Sequence, residues 1–339
     1  MQNEIKKPQR LLDDNGQLRT AGWARDLILD YNRSDIKAPL FRIKEWDYYL
    51  ISNESYAVAL TVADNGYMGL VSASIIDFTQ PYEHTKSIMA PFPMGRFSMP
   101  SSSKSGDVTY TGKAVGMNFS KAGSKRYLKC EYINFYNGKN LYINITLDEP
   151  EQDTIVMATP FDTSKKHFYY NQKINCMPAT GIVRCGGDEY TFSPENSFGT
   201  LDWGRGVWPY SNKWYWSSAS SVINGIPFGF NLGYGFGNLS AATENIIFYN
   251  GVGHKLDKVT FHIPKGNYLK PWVVSSNDGR FEMEFHPIID RSARTSAGII
   301  SSDQHQVFGR FTGQMILDDG KPLRIKNLPG FAEKVVNKW

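Results

Sequence analysis

Apolar and polar positions alternate along much of this chain. In Leu141-Tyr142-Ile143-Asn144-Ile145-Thr146-Leu147, Leu141, Ile143, Ile145 and Leu147 fall on one face of an extended segment and Tyr142, Asn144 and Thr146 on the other. A period of two predicts a strand with one face toward a core. Tyr56-Ala57-Val58-Ala59-Leu60-Thr61-Val62 is a second such run, rich in the β-branched and aromatic side chains that suit a pleated surface. Between these segments stand Asn15-Gly16, Asn65-Gly66, Asn137-Gly138, Asn224-Gly225, Asn250-Gly251, Asp278-Gly279 and Asp319-Gly320. Such dipeptides accept positive φ and predict hairpin turns. Helical signals are sparse. Trp23-Ala24-Arg25-Asp26-Leu27-Ile28-Leu29 predicts one short helix, and Phe331-Ala332-Glu333-Lys334-Val335-Val336, after Pro329-Gly330, predicts another. Many short strands and tight turns otherwise point to barrels or sandwiches, because closure removes exposed sheet edges.

A faint internal duplication divides the chain. Trp46-Asp47-Tyr48-Tyr49 leads to a Gly66-Tyr67-Met68-Gly69 turn, and Trp214-Tyr215-Trp216 leads to Gly233-Tyr234-Gly235-Phe236-Gly237. Thr180-Gly181-Ile182-Val183-Arg184, turning at Gly186-Gly187 into Tyr190-Thr191-Phe192, matches Thr312-Gly313-Gln314-Met315-Ile316, turning at Asp319-Gly320 into Leu323-Arg324-Ile325. The expected units are 1–195 and 196–339, divided near Ser193-Pro194-Glu195, with a single jelly-roll sandwich as the alternative. Residues 91–106, rich in Pro, Ser and Gly, read as a long loop and a candidate lid.

Composition narrows the class. At 339 residues, with 14% aromatic and 21% charged residues, the chain has the balance of a protein with a substantial core. The formal charge of +4 carries no long basic run and argues against nucleic-acid binding. No apolar leader follows Met1, and no stretch approaches the roughly 20 apolar residues of a membrane span, so a soluble cytoplasmic protein is expected. Cys130, Cys176 and Cys185 are odd in number and lack zinc-site spacing, which predicts buried free thiols.

The densest chemistry lies at Asp202-Trp203-Gly204-Arg205-Gly206-Val207-Trp208-Pro209-Tyr210 and the adjoining Trp214-Tyr215-Trp216, where four of the eight tryptophans surround one acid. A carboxyl held among indoles loses hydration, which favours its neutral form and suits it to general-acid work. Asp202 is therefore the candidate proton donor to an alkene or carbonyl, with the resulting cation shielded by Trp203, Trp208, Trp214 or Trp216. The competing reading is a structural carboxylate bridged to Arg205 or to backbone amides. Arg205, Tyr210, Glu244, Asn245 and His254 complete the candidate ligand-binding set. Glu244, Asn245, His254, Asp290 and Arg291 sit among strand-like apolar residues, and pointing outward they would be ordinary solvated positions. His84 is a candidate base or a structural histidine. No H-E-x-x-H, Cys/His cluster, G-x-S-x-G elbow or P-loop is present, and no metal or cofactor is called for. Gly233-Tyr234-Gly235-Phe236-Gly237 opens no helix and reads as a strand whose small residues admit a close neighbour.

The sequence resembles the domain-of-unknown-function 2804 family over nearly its whole length. The resemblance rests on Leu11-Leu12-Asp13-Asp14-Asn15-Gly16, Lys44-Glu45-Trp46-Asp47-Tyr48-Tyr49 and the segment Phe198–Tyr210, with Glu244-Asn245, His254-Lys255-Leu256, Asp290-Arg291 and Gln306-Val307-Phe308-Gly309 further on. More distantly it is similar to two-barrel lipocalin-like proteins, a group that includes carotenoid 1,2-hydratase, tocopherol cyclase and lipocalin-like Diels–Alderases. That resemblance implies an all-β fold of two lipocalin-like antiparallel β-barrels with a few short helices. By analogy it implies a pocket for an apolar or amphipathic small molecule such as an isoprenoid, polyketide or lipid, suited to acid-assisted isomerase, cyclase or hydratase chemistry. Fold analogy does not carry chemistry across. Two alternatives stand beside it: a carbohydrate-binding or carbohydrate-processing protein, which would need a second acid near Asp202, with Glu195 and Glu244 the candidates; and a structural or partner-binding module without catalysis.

Overall fold

The computed structural model describes residues 2–298 and 300–338. Two curled antiparallel sheets account for most of the chain, so the expected all-β, two-barrel fold is what the protein has. The first sheet has 13 strands. Its main path runs from an edge strand, Tyr82–Pro91, through Met68–Asp77, Tyr56–Asp64 and Ile43–Ser52 to Phe198–Val207. It continues through the long Ser164–Cys185 strand to Lys139–Asp148, Lys125–Tyr136, Val115–Ala122 and Val108–Thr111. The second sheet has nine strands, and its two edges, Val252–Lys255 and Val259–His262, are neighbours in the chain. Joining the first and last strands of a sheet through three residues requires it to curl round on itself.

Each curl encloses its own core. Leu141, Ile143, Ile145 and Leu147 are buried in the first while Tyr142 and Asn144 stay exposed, as their alternation predicts. The second core is built largely of aromatic side chains, among them Phe230, Phe281, Phe285, Phe311 and Trp272. The turn dipeptides behave as their chemistry requires: Asn137-Gly138, Asn224-Gly225 and Asn250-Gly251 have positive φ at both residues, the geometry that matches strand twist in two-residue hairpins. The three cysteines are free and buried.

Neither predicted helix forms. Residues 23–29 contain the ends of two short strands, Gly22–Ala24 and Leu29–Asp30, and the only helical pieces described are 3-10 turns at Arg33–Asp35 and Leu40–Arg42. Residues 331–336 lie inside the Pro322–Lys338 strand. Here Ala332 faces the second core and Phe331 faces the first unit, so a strand buried on both sides loses its alternation. The chain crosses from the first sheet to the second between Val207 and Ser211; the Phe198–Val207 strand, beyond the expected division at 195, pairs on both sides within the first sheet. Further aromatic clusters fill the contact between the two curls. Among the described residues, no helix is long and apolar enough to cross a membrane.

Candidate functional site

Strand periodicity splits the aspartate-tryptophan motif into two faces. Leu201, Trp203 and Val207 point into the first core, where Trp203 is fully buried and the Arg205 guanidinium lies 4.3 Å from its ring centre. Arg205 donates to Asp47 Oδ1 at 3.1 Å and to the carbonyls of Trp46, Gly204 and Pro100. It therefore serves the barrel and the 91–106 loop, and it does not bridge Asp202. Asp202, Gly204 and Gly206 point the other way, toward the second unit. A Cβ on Gly204 would lie 1.9 Å from the Trp46 ring, so this glycine lets the indole lie across the strand.

Asp202 Oδ1 pairs instead with Lys173 Nζ at 2.6 Å, both side chains almost fully buried. The cross-strand register places Lys173 and Tyr48 on either side of Asp202. Lys173 Nζ also stands 4.1 Å from the centre of the Trp216 ring, contributed by the second sheet. From Trp216 the network continues: Nε1 donates to Asn231 Oδ1 at 2.8 Å, and Asn231 Nδ2 donates to Glu244 Oε2 at 3.2 Å. Gly233 makes room for that carboxylate, since a Cβ there would meet Glu244 Oε1 at 2.2 Å. A parallel branch begins at Tyr48, whose hydroxyl donates to Gln306 Oε1 at 3.3 Å. Gln306 Nε2 in turn donates to Glu333 Oε2 at 3.0 Å, and Trp214 Nε1 donates to Glu333 Oε1 at 2.6 Å.

Three carboxyl groups thus share one interface. Burial pushes Glu244 upward against the pull of Lys173, and the nearby Asp202 adds to the rise. Glu333 is pushed up to about 7 by burial, although Trp214, Arg291 and Lys173 favour its charged form. Burial likewise raises the Tyr48 phenol to about 12 and pushes the Tyr169 phenol up as well. Glu333 keeps partial exposure, as do Trp46 and Trp214. No group of three or more His, Cys, Asp or Glu side chains suited to a metal ion occurs among the described residues.

Beside the carboxyls stands an aromatic wall. Trp46 stacks on Tyr169 at 6.0 Å and meets Trp208 edge-on at 5.1 Å; Trp208 and Trp214 each meet Phe236 edge-on, at 4.8 and 5.4 Å. Offset and edge-on contacts at these separations are favourable beyond the area they bury. Trp214 joins wall and acids, being packed on Phe236 while its N–H holds Glu333. A cavity of about 10 Å³, room for about one water, lies in the same interface against Thr200, Ser218, Ser220 and Phe308.

Of the residues singled out from the sequence, the interface gathers Asp202, Trp208, Trp214, Trp216 and Glu244. Trp203 and Arg205 are separated from it by the strand's alternation. Tyr210 is exposed. Asn245 is a structural amide, accepting from Gly233 N–H and donating to the Asp257 carbonyl, each at 2.7 Å. His254 accepts from the Asp318 backbone N–H at 3.2 Å at the rim of the second sheet. Glu195 lies exposed in a turn. Arg291 reaches across the interface to donate to Ser74 Oγ at 3.0 Å, while Asp290 pairs with His305 at 2.7 Å.

Sequence reading missed Lys173, Glu333, Tyr48, Asn231 and Gln306. A signal for Lys173 existed: Asn171, Lys173 and Asn175, spaced two apart, fall on one face of the Ser164–Cys185 strand. Glu333 was concealed by the helical reading of its segment.

The family model for a domain of unknown function, DUF2804, matches residues 2–339. The chain belongs to that family. None of the curated proteins matches it. Among solved structures, kievitone hydratase from Nectria haematococca is similar at 12% identity, with 98% of each chain covered and a TM-score of 0.55. An AttH-like protein from Nitrosomonas europaea is similar at 11% identity, covering 91% of this chain and 96% of its own, with a TM-score of 0.50. Likeness at that identity extends to the fold of this DUF2804 protein and no further.

Proposed function

We propose that the interface between the two barrels, at the aromatic wall beside Glu333, takes up an apolar or amphipathic small molecule, of isoprenoid, polyketide or lipid character, by opening beyond its one-water cavity, and acts on it by proton transfer. The carrying observation is Glu333: a carboxyl pushed up to about 7 by burial, on a residue that keeps partial exposure, and held by Trp214 at the edge of the aromatic wall. A general acid works best when its pKa lies near the operating pH. The assignment of proton donor accordingly moves from Asp202 to Glu333. Asp202, tied to Lys173, is the fixed negative charge that faces a developing cation, and the indoles of Trp46 and Trp214 supply π faces for it. Protonation of an alkene followed by water capture is the hydratase form of this chemistry, and the similarity in fold to a hydratase is in keeping with it. The buried free thiols suit a reducing, cytoplasmic setting.

The experiment begins with native mass spectrometry and organic extraction of the purified protein, followed by incubation with farnesol in ¹⁸O-labelled water. Tryptophan emission reports binding, and mass spectrometry reports hydration or isomerisation. Turnover is expected to be carried by protonated Glu333, so it falls as pH rises through about 7. Glu333→Gln should bind farnesol normally and lose turnover by about 100-fold or more. Absence of any apolar co-purified compound together with no farnesol binding would overturn the reading, and saturable binding of a soluble oligosaccharide in its place would favour carbohydrate recognition.

A further inference from the structure

We propose that the mouth of the first barrel is a second binding site, shaped for one small planar phenol. A cavity of about 140 Å³ opens there, with Ile75 and Cys185 at its base and His84, Phe135, Tyr136 and Tyr82 around it. Its position follows from how this barrel closes. The edge strand Tyr82–Pro91 reaches the Lys125–Tyr136 strand through side chains: His84 Nε2 lies 2.9 Å from the Phe135 carbonyl, and Lys86 donates to the Asn134 carbonyl. A seam bridged by side chains leaves room that a backbone ladder would fill.

The volume selects one six-membered ring, since apolar cavities of about 150 Å³ hold benzene. Ring geometry selects a flat one. His84 stands perpendicular to Phe135 at 4.9 Å and tilted on Tyr136 at 4.7 Å, and Tyr82 meets Tyr136 edge-on at 5.8 Å, so the walls present ring edges and faces to an aromatic guest. The hydroxyl is selected by His84. A carbonyl only accepts, so Nε2 donates to it and Nδ1 is the ring atom offered as acceptor to a phenolic O–H. Lys139 and Asp188, 3.5 Å apart and both exposed, form a polar rim. Ile75 and Cys185 belong to the first core and the Asp202 network to the interface between barrels, so the two sites share no residue and neither proposal depends on the other.

Cys185 provides the readout. The intact protein is treated with methyl methanethiosulfonate in the presence of phenol, benzene or cyclohexanol, and modification is followed peptide by peptide, with Cys130 and Cys176 as controls. Phenol at saturation should slow modification of Cys185 about tenfold, cyclohexanol should not, and the control thiols should be unchanged. Saturation-transfer NMR of phenol should give a signal that Cys185→Leu abolishes by filling the cavity and that Trp214→Phe, at the other site, leaves intact. His84→Phe should weaken phenol about five- to tenfold, the loss of one hydrogen bond, and leave benzene unchanged. Equal protection by cyclohexanol, a phenol signal surviving Cys185→Leu in a protein with wild-type melting, or no phenol signal in the wild type would each overturn the proposal.

Discussion

At the residue scale the motif around Asp202 is governed by what its glycines leave out. Trp46, one strand away, fills the space above Gly204, and its indole reaches both Tyr169 and Trp208 from there. Gly204→Ala places a Cβ where ring carbons stand, so Trp46 must leave its position or the strands must part. Overpacking of this kind costs about 1–3 kcal/mol. Denaturant unfolding should register that loss together with a changed tryptophan emission, while Gly116→Ala, with no atom near its Cβ position, should be neutral or slightly stabilising. An unchanged stability in Gly204→Ala would mean that Trp46 is not held as described. The acid, the tryptophans and the glycines were all legible in the sequence, because their density is local. Which of them share a face was legible only once the segment was taken as a strand: an odd spacing separates Asp202 from Arg205, which excludes the bridge that their nearness suggested.

At the scale of elements, the internal duplication has a physical counterpart. Gly181 and Gly313, the glycines of the matched Thr-Gly pairs, have φ of +150 and +156. A Cβ at either would strike a carbonyl oxygen of the neighbouring strand, Asn144 at 2.2 Å or Glu282 at 2.1 Å. Each sits in a long strand that bends as its sheet curls, where the neighbouring backbone approaches too closely for a side chain. Gly181→Ala and Gly313→Ala should both destabilise, by about 3 kcal/mol or more given strain and backbone clash together, and by similar amounts because the positions are equivalent. Thermal melting of the two variants checks this; a large loss in one and none in the other would break the equivalence. Strands with one solvated face were readable from alternation, as in Lys139–Asp148. Strands buried on both faces were not. Phe331 and Ala332 are buried on opposite faces, against the first unit and in the second core, and Val336 is apolar yet exposed, so the run carries no period to distinguish strand from helix. That ambiguity hid Glu333.

At the scale of the whole molecule, the contact between barrels is held around charges that neither barrel would bury alone. Lys173 and Asp202 both belong to the first sheet, yet Trp216, Glu244 and Glu333 close over them from the second. Contacts between the halves of a chain are invisible to local patterning, which explains why the two-barrel fold could be anticipated while the partner of Asp202 could not. The pairing makes a definite energetic prediction. Removing one member of a buried ion pair strands the other and typically costs about 3–5 kcal/mol, whereas replacing both by apolar groups of similar volume is often neutral or better. Lys173→Met should therefore destabilise strongly, the more so because Asp202 and Glu244 would then repel without a nearby cation. Asp202→Leu should also destabilise, by stranding Lys173 beneath Trp216. The double variant should recover most of the loss, so that it is less destabilised than either single variant and the coupling energy is about 3 kcal/mol or more, at or above the upper end of what neighbouring residues show. Farnesol turnover separates stability from chemistry in the same set of proteins. If Asp202 supplies the fixed charge that faces the cation, the stable double variant should still bind farnesol and fail to convert it. If the double variant recovers both stability and turnover, the pair is architectural and the chemistry rests on Glu333 alone.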